Sequence, residues 1–211
     1  MRIGRLARWY RWIEYAAFGR ALERSRFAYL PRLAAARRIL ILGEGDGRVL
    51  ARLLALAPEA HFNVVELSPE MIALAKQRAH NSDRVAFHCE DARRISLPAA
   101  RYDAVVTNFF LDCFTKEDAR SLIRRLANAL TADGIWLIGE FAIPADGWRR
   151  RHAQIWVWTM YRFFAIATGL RAKALPPIEA LLREVGMQRV EQQRQRAGLM
   201  VSEVWRHELR R

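Results

Sequence analysis

The chain has 211 residues, 52% of them hydrophobic, which is enough for the core of one domain and too apolar for a disordered chain. Its formal net charge of +13 favours anionic partners such as nucleic acid, anionic lipid or an acidic substrate, without choosing among them. The two cysteines, Cys89 and Cys113, belong to no CxxC or Cys/His cluster. They therefore argue against a disulfide framework and a zinc site, and we expect two buried free thiols and no metal.

The N-terminal segment, residues 1–37, is predicted to be helical. Apolar residues recur there at helical spacing between arginines, and a second helical stretch from Leu22 to Ala36 is interrupted by Pro31. No apolar run reaches the roughly 18–20 residues that span a bilayer, and none follows the first arginines as in a secretory signal. We therefore expect a cytoplasmic protein.

Short apolar strands alternate with helices from residue 38 to residue 141. The strands are predicted at residues 38–42, 61–66, 84–88, 102–107 and 135–141. The helices between them are predicted at residues 48–57, 68–79 and 116–130, with Ser68 as an N-cap and Pro69 at the first helical position. This alternation predicts an α/β fold with a parallel, doubly wound sheet.

The pattern changes after Phe141. An aromatic-rich helix is predicted at residues 150–168, and a further helix from Pro177 ends at Gly186. Two final strands, residues 187–195 and 199–207, are expected to form an antiparallel hairpin around Ala197 and Gly198. We predict a single domain, residues 1–211, with an aromatic helical insertion at residues 145–175.

A glycine loop, Gly43-Glu44-Gly45-Asp46-Gly47, connects the first strand to its helix. Glycines at this place let the backbone approach a ligand closely. The dinucleotide fingerprint requires glycine where Arg48 stands, and two carboxylates would repel a pyrophosphate. The loop therefore favours a ligand that carries sulfonium and ammonium groups over a dinucleotide.

Polar residues also follow the next three strands. Glu66 ends the second strand, Glu90 and Asp91 follow the third, and Asn108 follows the fourth. Because ligands of open α/β sheets bind at the carboxyl ends of the strands, these residues are expected to share one site. An acid at the end of the second strand can accept hydrogen bonds from ribose hydroxyls, and an acid after the third strand can accept a hydrogen bond from the amine of adenine.

These motifs resemble those of class I S-adenosylmethionine-dependent methyltransferases. The resemblance rests on residues 39–48, 64–71, 89–92, 102–108 and 130–138. It implies a Rossmann-like doubly wound seven-stranded sheet, mostly parallel with an antiparallel C-terminal hairpin, and S-adenosyl-L-methionine as cofactor. One departure is that Leu42 stands where the family usually carries an acid before the first glycine, so Glu44 is taken to substitute for it.

The resemblance also implies the donor contacts, position by position. Gly43, Glu44, Gly45 and Gly47 would hold the methionine portion, and Glu66, with Leu67 and Met71 beside it, would hold the ribose. Asp91 and Ala92 would face the adenine, Asn108 would complete the site, and Tyr10 would reach it from an N-terminal lid. The N-terminal helix is alternatively expected to make a peripheral contact with an anionic membrane surface.

Asp112 is the candidate catalytic residue, because it lies just beyond the motif at the fourth strand. It would orient or deprotonate the acceptor, or else cap a helix that begins near Phe114 or Thr115. The run Asn108-Phe-Phe-Leu111 in place of Asn-Pro-Pro-Tyr argues against methylation of amino groups on nucleobases or glutamine. Cys113 lacks the proline that precedes a pyrimidine-attacking cysteine, which favours core packing for it.

The segment after the fifth strand resembles, more loosely, the ubiquinone and menaquinone methyltransferase branch. Glu140 begins an EFxxP-like turn before the aromatic helix, so Glu140, His152 and Tyr161 are predicted to line the acceptor pocket, unless that helix simply covers the sheet. The leading hypothesis is methyl transfer to a small apolar or aromatic acceptor, such as a quinone or lipid precursor. An RNA or protein methyltransferase, favoured by charge alone, and a non-catalytic S-adenosylmethionine-binding protein remain the alternatives, and nucleic acid is the less expected partner.

Overall fold

The computed structural model describes residues 20–143, 147 and 175–208, and it contains a seven-stranded sheet of order β3-β2-β1-β4-β5-β7-β6. The strands are β1 (Arg38–Leu42), β2 (His61–Glu66), β3 (Val85–Cys89), β4 (Tyr102–Asn108), β5 (Leu130–Phe141), β6 (Met187–Gln195) and β7 (Met200–His207). Strands β1 to β5 are parallel, whereas β7 runs antiparallel to both β5 and β6. The predicted fold class is therefore confirmed.

The described helices connect and cover these strands. They are α1 (Ala21–Phe27), α2 (Arg48–Leu56), α3 (Pro69–Arg78), α4 (Lys116–Ala129) and α5 (Ile178–Glu184), with three short 3-10 helices at Leu30–Leu33, Leu111–Cys113 and Arg196–Gly198. None of these helices has the length and apolarity needed to cross a membrane.

The two faces of the sheet bury separate clusters of side chains, and β1 contributes to both. Leu40 and Leu42 pack on the face covered by α4 and α5, while Ile39 and Ile41 pack on the face covered by α2 and the first 3-10 helix. Positions buried on either face must be apolar, which is why β1 is an unbroken apolar run from Ile39 to Leu42.

The order of strands reverses between β1 and β4, since β2 lies on one side of β1 and β4 on the other. A crevice opens at such a switch point, beyond the carboxyl ends of the strands. The glycine loop leaves β1 at this crevice, and the segment 109–113 leaves β4 beside it. The topology thus brings the two segments together although they are far apart in sequence.

The β6–β7 hairpin is regular except for one shift in register between Arg189 and Glu191. The shift turns these two side chains to opposite faces of the sheet. Arg189 contacts Glu179 of α5 and Glu203 of β7, whereas Glu191 contacts Arg32 of the first 3-10 helix. The predicted hairpin around Ala197 and Gly198 is confirmed.

The helical segment before β1 is shorter than its sequence pattern predicts. In place of one stretch from Leu22 to Ala36, α1 ends at Phe27 and a 3-10 helix begins at Leu30, with Pro31 near its start. Proline lacks the backbone N–H that a continuing α-helix would use, so the chain restarts as a new turn. Most of the predicted N-terminal lid and of the insertion at residues 145–175 lies outside the described residues, as do Tyr10, His152 and Tyr161.

The prediction that both cysteines are buried is wrong. Cys89 and Cys113 are exposed, because Cys89 ends β3 and Cys113 ends the second 3-10 helix, both at the carboxyl edge of the sheet. The bias of cysteine toward burial holds for positions inside elements and carries less weight where a chain leaves the core.

Candidate active site

The three glycines of the loop have left-handed backbone conformations, with φ of +65° at Gly43, +67° at Gly45 and +87° at Gly47. They differ in their surroundings. A Cβ on Gly43 would meet the ring of Phe110 at 2.3 Å, and one on Gly47 would meet Ala75 Cα of α3 at 2.6 Å. A Cβ on Gly45 would meet nothing within 4 Å. Gly45 therefore offers open backbone to a ligand, while Gly47 allows α2 and α3 to pack.

Glu66 ties the end of β2 to this loop. Its Oε2 accepts a hydrogen bond from the backbone N–H of Gly45 at 3.1 Å, and its Oε1 accepts one from the N–H of Ser68 at 3.0 Å. A carboxylate has about four acceptor positions, so two remain for other donors. Glu66 thus has the capacity to accept a pair of adjacent hydroxyl groups beside the open face of Gly45.

The two acids of the loop face the protein rather than open solvent. Asp46 lies 2.9 Å from both Arg48 Nε and Arg78 Nη1. Burial opposes its ionisation, but the charges and hydrogen bonds of Arg48 and Arg78 outweigh it and lower the pKa of Asp46. The carboxylate of Asp46 is therefore neutralised internally, which removes it from the electrostatic argument for a cationic ligand.

Glu44 turns toward the start of α2. Its Oε1 accepts a hydrogen bond from the N–H of Leu50 at 3.0 Å, which satisfies one of the free donors at the helix terminus. Burial raises the pKa of Glu44 to about 8, and the charge of Asp46 adds to this effect. Glu44 is thus largely protonated at neutral pH and acts here as a helix-capping group; its contact with a donor stays a prediction.

The residues expected beside the ribose, Leu67 and Met71, and those expected to face the adenine, Asp91 and Ala92, follow the carboxyl ends of β2 and β3 respectively. The side chain of Leu67 is 60% exposed and presents an apolar surface at this edge, whereas Met71 and Ala92 are buried. The carboxylate of Asp91 accepts hydrogen bonds from the backbone N–H and the guanidinium of Arg93. These hydrogen bonds with Arg93 lower the pKa of Asp91 and hold its carboxylate in place.

The chain leaves β4 through a tight turn. Asn108 Oδ1 lies 2.6 Å from where a Cβ of Gly139 would stand, so only glycine on β5 leaves room for it. Phe109 has a left-handed φ of 53°, and its N–H donates to the carbonyl of Gly139 at 2.6 Å. This turn places the ring of Phe110 against Gly43.

Four aromatic rings and one arginine near this turn were not predicted as site residues. The rings of Phe109 and Phe141 lie 4.7 Å apart, those of Phe110 and Phe114 lie 5.0 Å apart, and Arg26 Cζ lies 5.6 Å from the ring centre of Phe109. The sequence signal was the pair Phe109-Phe110 directly after a strand that ends at the ligand edge. The contact of Arg26 depends on tertiary packing and has no local sequence signal.

Two buried carboxyl groups meet behind this aromatic turn. Asp112 is 5% exposed and Glu140 is 4% exposed. Glu140 Oε1 accepts a hydrogen bond from the N–H of Leu111 at 2.9 Å, and Oε2 has no hydrogen-bond partner among the described residues. The predicted placement of Glu140 as pocket lining is thus indirect in this structure, since its side chain lies beneath the 3-10 helix at Leu111–Cys113.

Burial raises the pKa of Asp112 to about 6. Burial and the charge of Asp112 together raise the pKa of Glu140 well above its ordinary range. Two neighbouring carboxyl groups in a low-dielectric site share a proton more readily than they both ionise. Near neutral pH we therefore assign the proton to Glu140 and the charge to Asp112.

Asp112 does not cap the following helix. The N-cap of α4 is Thr115, whose hydroxyl oxygen accepts a hydrogen bond from the N–H of Asp118 at 3.2 Å. Of the two predicted roles for Asp112, the helix cap is therefore wrong. The thiol of Cys113 lies 3.5 Å from Asp112 Oδ1, at the exposed end of the same 3-10 helix.

The thiol of Cys113 is surrounded by acids. Its pKa is raised well above the usual range, first because neighbouring protein atoms displace water around it and then because Asp112, Glu140 and Glu66 add negative charge. A thiol with a raised pKa is a poor nucleophile. Cys113 is therefore a poor candidate for a nucleophile.

Comparison with known proteins agrees with this geometry. Residues 39–134 match the family model described as a methyltransferase domain. This chain carries a methyltransferase domain. The predicted family and its cofactor class, S-adenosyl-L-methionine, are thereby confirmed at the level of the family, and the domain covers the glycine loop, Glu66, Asp91 and Asp112.

Curated relatives of the methyltransferase domain include a malonyl-[acyl-carrier protein] O-methyltransferase of Bacillus anthracis, 35% identical over 61% of this chain and 47% of that protein. A demethylmenaquinone methyltransferase of Deinococcus radiodurans is 30% identical over 61% of this chain and 51% of that protein. The chain thus spans about half the length of these relatives.

Among solved structures, an N-methyltransferase, NodS, of Bradyrhizobium japonicum WM9 in complex with S-adenosyl-l-homocysteine superposes with a TM-score of 0.65. The superposition covers 88% of this chain and 87% of that one at 22% identity. At this identity the likeness supports the fold alone.

The residues of the methyltransferase domain fit an adenosylmethionine molecule by their own chemistry. Gly45 leaves open backbone, Glu66 has spare acceptor positions for two hydroxyl groups, and Leu67 offers an exposed apolar surface on the same edge. The structure differs from the sequence analysis over the two loop acids, which were expected to attract a cationic ligand. Asp46 is instead paired with arginines, and Glu44 caps α2.

Proposed function

We propose that the chain transfers the methyl group of S-adenosyl-L-methionine to a small apolar or aromatic acceptor of the quinone- or lipid-precursor kind. The observation that carries this proposal is the set of aromatic rings at the turn after β4, Phe109 paired with Phe141 and Phe110 paired with Phe114, of which Phe110 lies against Gly43 of the glycine loop. Rings at this position favour an acceptor with a flat or apolar body. The two relatives, a malonyl-[acyl-carrier protein] O-methyltransferase and a demethylmenaquinone methyltransferase, support a small or carrier-bound acceptor.

In this proposal the bound donor supplies a methyl group attached to a positively charged sulfur. Glu66 would orient the donor by accepting hydrogen bonds from its ribose hydroxyls. Gly45 would let the methionine portion approach the backbone. The further proposed donor contacts are Gly43, Glu44, Gly47, Leu67, Met71, Asp91, Ala92, Asn108 and Tyr10. Much of the rate enhancement would come from holding donor and acceptor in line.

Asp112 would accept the proton of an acceptor hydroxyl or amine. Because its pKa is raised to about 6 by burial, it is ionised at neutral pH yet a better proton acceptor than an exposed aspartate. Glu140 would keep the one proton that the pair shares near neutral pH and fix the 3-10 helix by accepting a hydrogen bond from the N–H of Leu111. His152 and Tyr161 would contribute to the acceptor pocket from the insertion.

The first experiment measures donor binding and acceptor range. Calorimetry with S-adenosyl-L-methionine should give saturable binding, and methyl transfer should be found in a panel of hydroxyquinones, catechols and fatty acyl carboxylates. Absence of binding at about millimolar donor would contradict the proposal. Methylation of total RNA or protein, with none of the small acceptors, would favour the first alternative, and binding without any transfer would favour the non-catalytic one.

The second experiment tests Asp112. The substitution Asp112→Asn should lower kcat by about a hundredfold or more, the usual contribution of a general base, and leave the Kd for donor unchanged. The kcat of the unsubstituted chain should rise with pH through about 6. A matched control is Asp133→Asn, which changes an exposed acid at the other end of β5 and should leave kcat unchanged. Unchanged turnover in Asp112→Asn would remove Asp112 from the mechanism.

A further inference from the structure

A cavity lies between α1 and the end of β6. Its volume is about 1060 Å³, and it is partly open to solvent. Ligand sites for small molecules typically have volumes of roughly 300–1,000 Å³, so this cavity has room for an organic molecule or a large part of one. Helix α1 is held against the sheet there by a hydrogen bond of 2.8 Å between the hydroxyls of Ser25 and Ser202.

The lining of this cavity is strongly basic, and we call it the arginine pocket. Arg20, Arg24 and Arg196 line it, with Glu23 as the one acid among the described lining residues. Arg20 and Arg24 are one helical turn apart on the same side of α1, so their side chains extend in similar directions. Neither guanidinium forms an ion pair within the part of the chain that the structure describes.

This arrangement differs from that of other arginines in the protein. Arg32 pairs with Glu191, Arg78 with Asp46, and Arg120 with Glu184. Where a carboxylate lies within reach, these arginines use it. Arg20 and Arg24 instead line the pocket together with Gln193 and Gln195, whose amide side chains neutralise no charge.

Guanidinium groups that converge on a cavity are suited to a planar or tetrahedral oxyanion, because their fixed N–H donors match its oxygens. The amide groups of Gln193 and Gln195 can add neutral hydrogen bonds. The ring of Phe27 supplies one apolar wall. The lining therefore combines binding groups for an anion with a surface for a carbon framework.

The pocket and the aromatic turn lie at the same edge of the sheet. Gln195, at the end of β6, pairs with Met200, and Met200 pairs with Phe141 at the carboxyl end of β5. The ring of Phe141 contacts that of Phe109, and Arg26 of α1 lies over the same ring. One molecule could thus extend from the aromatic turn along α1 into the pocket.

We propose that the arginine pocket binds a phosphate group, or an equivalent multiply charged oxyanion, carried by the methyl acceptor. The link to the acceptor rests on the proposed function; binding of the anion itself does not. The amide groups of Gln193 and Gln195 and the ring of Phe27 beside the arginines favour a discrete phosphorylated molecule over a lipid surface, which needs only exposed basic side chains.

The test uses the full chain and measures the binding of inorganic pyrophosphate and inorganic phosphate by calorimetry at low ionic strength, where exposed charges are least screened. The pocket variant is Arg20→Gln with Arg24→Gln. The matched control is Arg52→Gln with Arg101→Gln, which removes the same charge from exposed arginines outside the pocket. Thermal unfolding confirms that both variants fold, and the Kd for S-adenosyl-L-methionine is measured for each.

The chain should bind pyrophosphate, and the pocket variant should bind it about tenfold or more weakly, as expected for losing charge-assisted hydrogen bonds. The control variant should change the Kd by less than about threefold. Equal weakening in both variants would overturn the proposal, since it would show a general effect of net charge. Absence of pyrophosphate binding would also overturn it.

A further arm uses flotation with phosphatidylglycerol vesicles. Loss of vesicle binding in the pocket variant, with no binding of pyrophosphate by the unsubstituted chain, would assign these arginines to a membrane surface and overturn the proposal. The donor measurement keeps the two hypotheses apart. Pyrophosphate binding without donor binding would contradict the proposed function and leave the anion site standing, whereas the reverse would leave methyl transfer standing without this site.

Discussion

The carboxyl groups in the two halves of the sheet differ in their hydrogen-bond and ion-pair partners. In the donor half, which is β1–β3 with residues 43–47, Asp46 has two arginine partners and Glu66 has two backbone N–H donors. In the acceptor half, which is β4–β7 with residues 109–113, Asp112 and Glu140 are buried side by side, and Glu140 Oε2 has no hydrogen-bond partner among the described residues. Glu44 is the exception in the donor half, because burial raises its pKa to about 8.

The difference follows from what each half would do. A group that only positions a ligand is best held by fixed hydrogen bonds, since these cost no reorganisation when the ligand arrives. A group that must take up a proton is more useful where its charge is disfavoured, since this brings its pKa toward the working pH. The donor half thus has the features of a scaffold, and the acceptor half those of a reactive site. The predictions below test whether the halves are separate in this sense.

The largest expected change in stability concerns Gly47 in the donor half, the glycine that precedes α2 and lets it pack against α3. Gly47→Ala should lower the free energy of unfolding by about 2–4 kcal/mol, because it combines a left-handed backbone with an overlap against Ala75. Gly186→Ala is the counterpart in the acceptor half, where φ is +75° and a Cβ would meet nothing within 4 Å. Gly186→Ala should lower the free energy of unfolding by only about 1–2 kcal/mol, since it strains the backbone without creating an overlap. Urea unfolding measures both, and equal losses would mean that helix packing does not require Gly47.

The next prediction concerns donor affinity. Glu66→Gln keeps the shape of the side chain but turns an amide NH₂ toward the N–H of either Gly45 or Ser68. Losing one charge-assisted hydrogen bond of about 1.5–3 kcal/mol should weaken donor binding roughly tenfold to a hundredfold. Glu59→Gln, at an exposed acid just before β2 and at the opposite edge of the sheet, is the control and should leave the Kd unchanged. Calorimetry decides, and an unaltered Kd in Glu66→Gln would contradict the role of Glu66 in the donor half.

How far the sequence could predict these halves depends on the range of the interaction. The strands were predicted within a few residues because a buried parallel strand is an apolar run, and Glu66 because it ends one. The pairing of Asp46 with Arg78, 32 residues away, and the approach of Phe110 to Gly43 depend on packing between elements. Local patterns carry no information about such contacts.

One local signal was present and was assigned to the wrong residue. Thr115 stands three residues before Asp118, the spacing of an N-cap followed by an acid in the first helical turn. The cap was nevertheless considered for Asp112, which the structure buries beside Glu140. The raised pKa of the pair could not be predicted, because Glu140 arrives from a different strand, 28 residues later.

The dependence of stability on pH should have opposite signs in the two halves. The pKa of Asp112 is raised from its ordinary 3.8 to about 6, so the folded state binds more protons than the unfolded state between these values and loses stability as pH rises. The pKa of Asp46 is lowered, chiefly by Arg48 and Arg78 against the effect of burial. Its contribution is therefore present above pH 3.8 and is lost as pH falls through its folded-state pKa.

Two isosteric substitutions separate these contributions. From pH 4 to pH 7, the unfolding free energy of Asp112→Asn should rise by on the order of 1–3 kcal/mol relative to the unsubstituted chain. From pH 2 to pH 5, that of Asp46→Asn should fall relative to the unsubstituted chain, by on the order of 1 kcal/mol, because only the unsubstituted chain gains a charged partner for the two arginines as the pH rises. Urea unfolding in each of these pH ranges measures both. Slopes of the same sign would show that the two acids do not have the different environments described above.

The smallest effects concern the two helix caps, one in each half. The hydroxyl of Ser68 caps α3 by accepting a hydrogen bond from the N–H of Met71, and the hydroxyl of Thr115 caps α4 by accepting one from the N–H of Asp118, each at 3.2 Å. Ser68→Ala and Thr115→Ala should each cost about 1 kcal/mol in unfolding free energy. Their functional effects should differ, because Ser68 directly follows Glu66-Leu67 and Thr115 follows the segment that holds Asp112.

Ser68→Ala should therefore weaken donor binding by roughly two- to fivefold and leave kcat at saturating donor unchanged, since a slightly looser α3 displaces Glu66. Thr115→Ala should lower kcat by a similar factor and leave the donor Kd unchanged, since it loosens the segment that follows the 3-10 helix carrying Asp112. Because the two substitutions have the same cost in stability, a general loss of folded protein cannot produce this crossed result. If both variants change donor affinity equally, the two halves are mechanically coupled, and the carboxyl groups of the acceptor half must respond to events at the glycine loop.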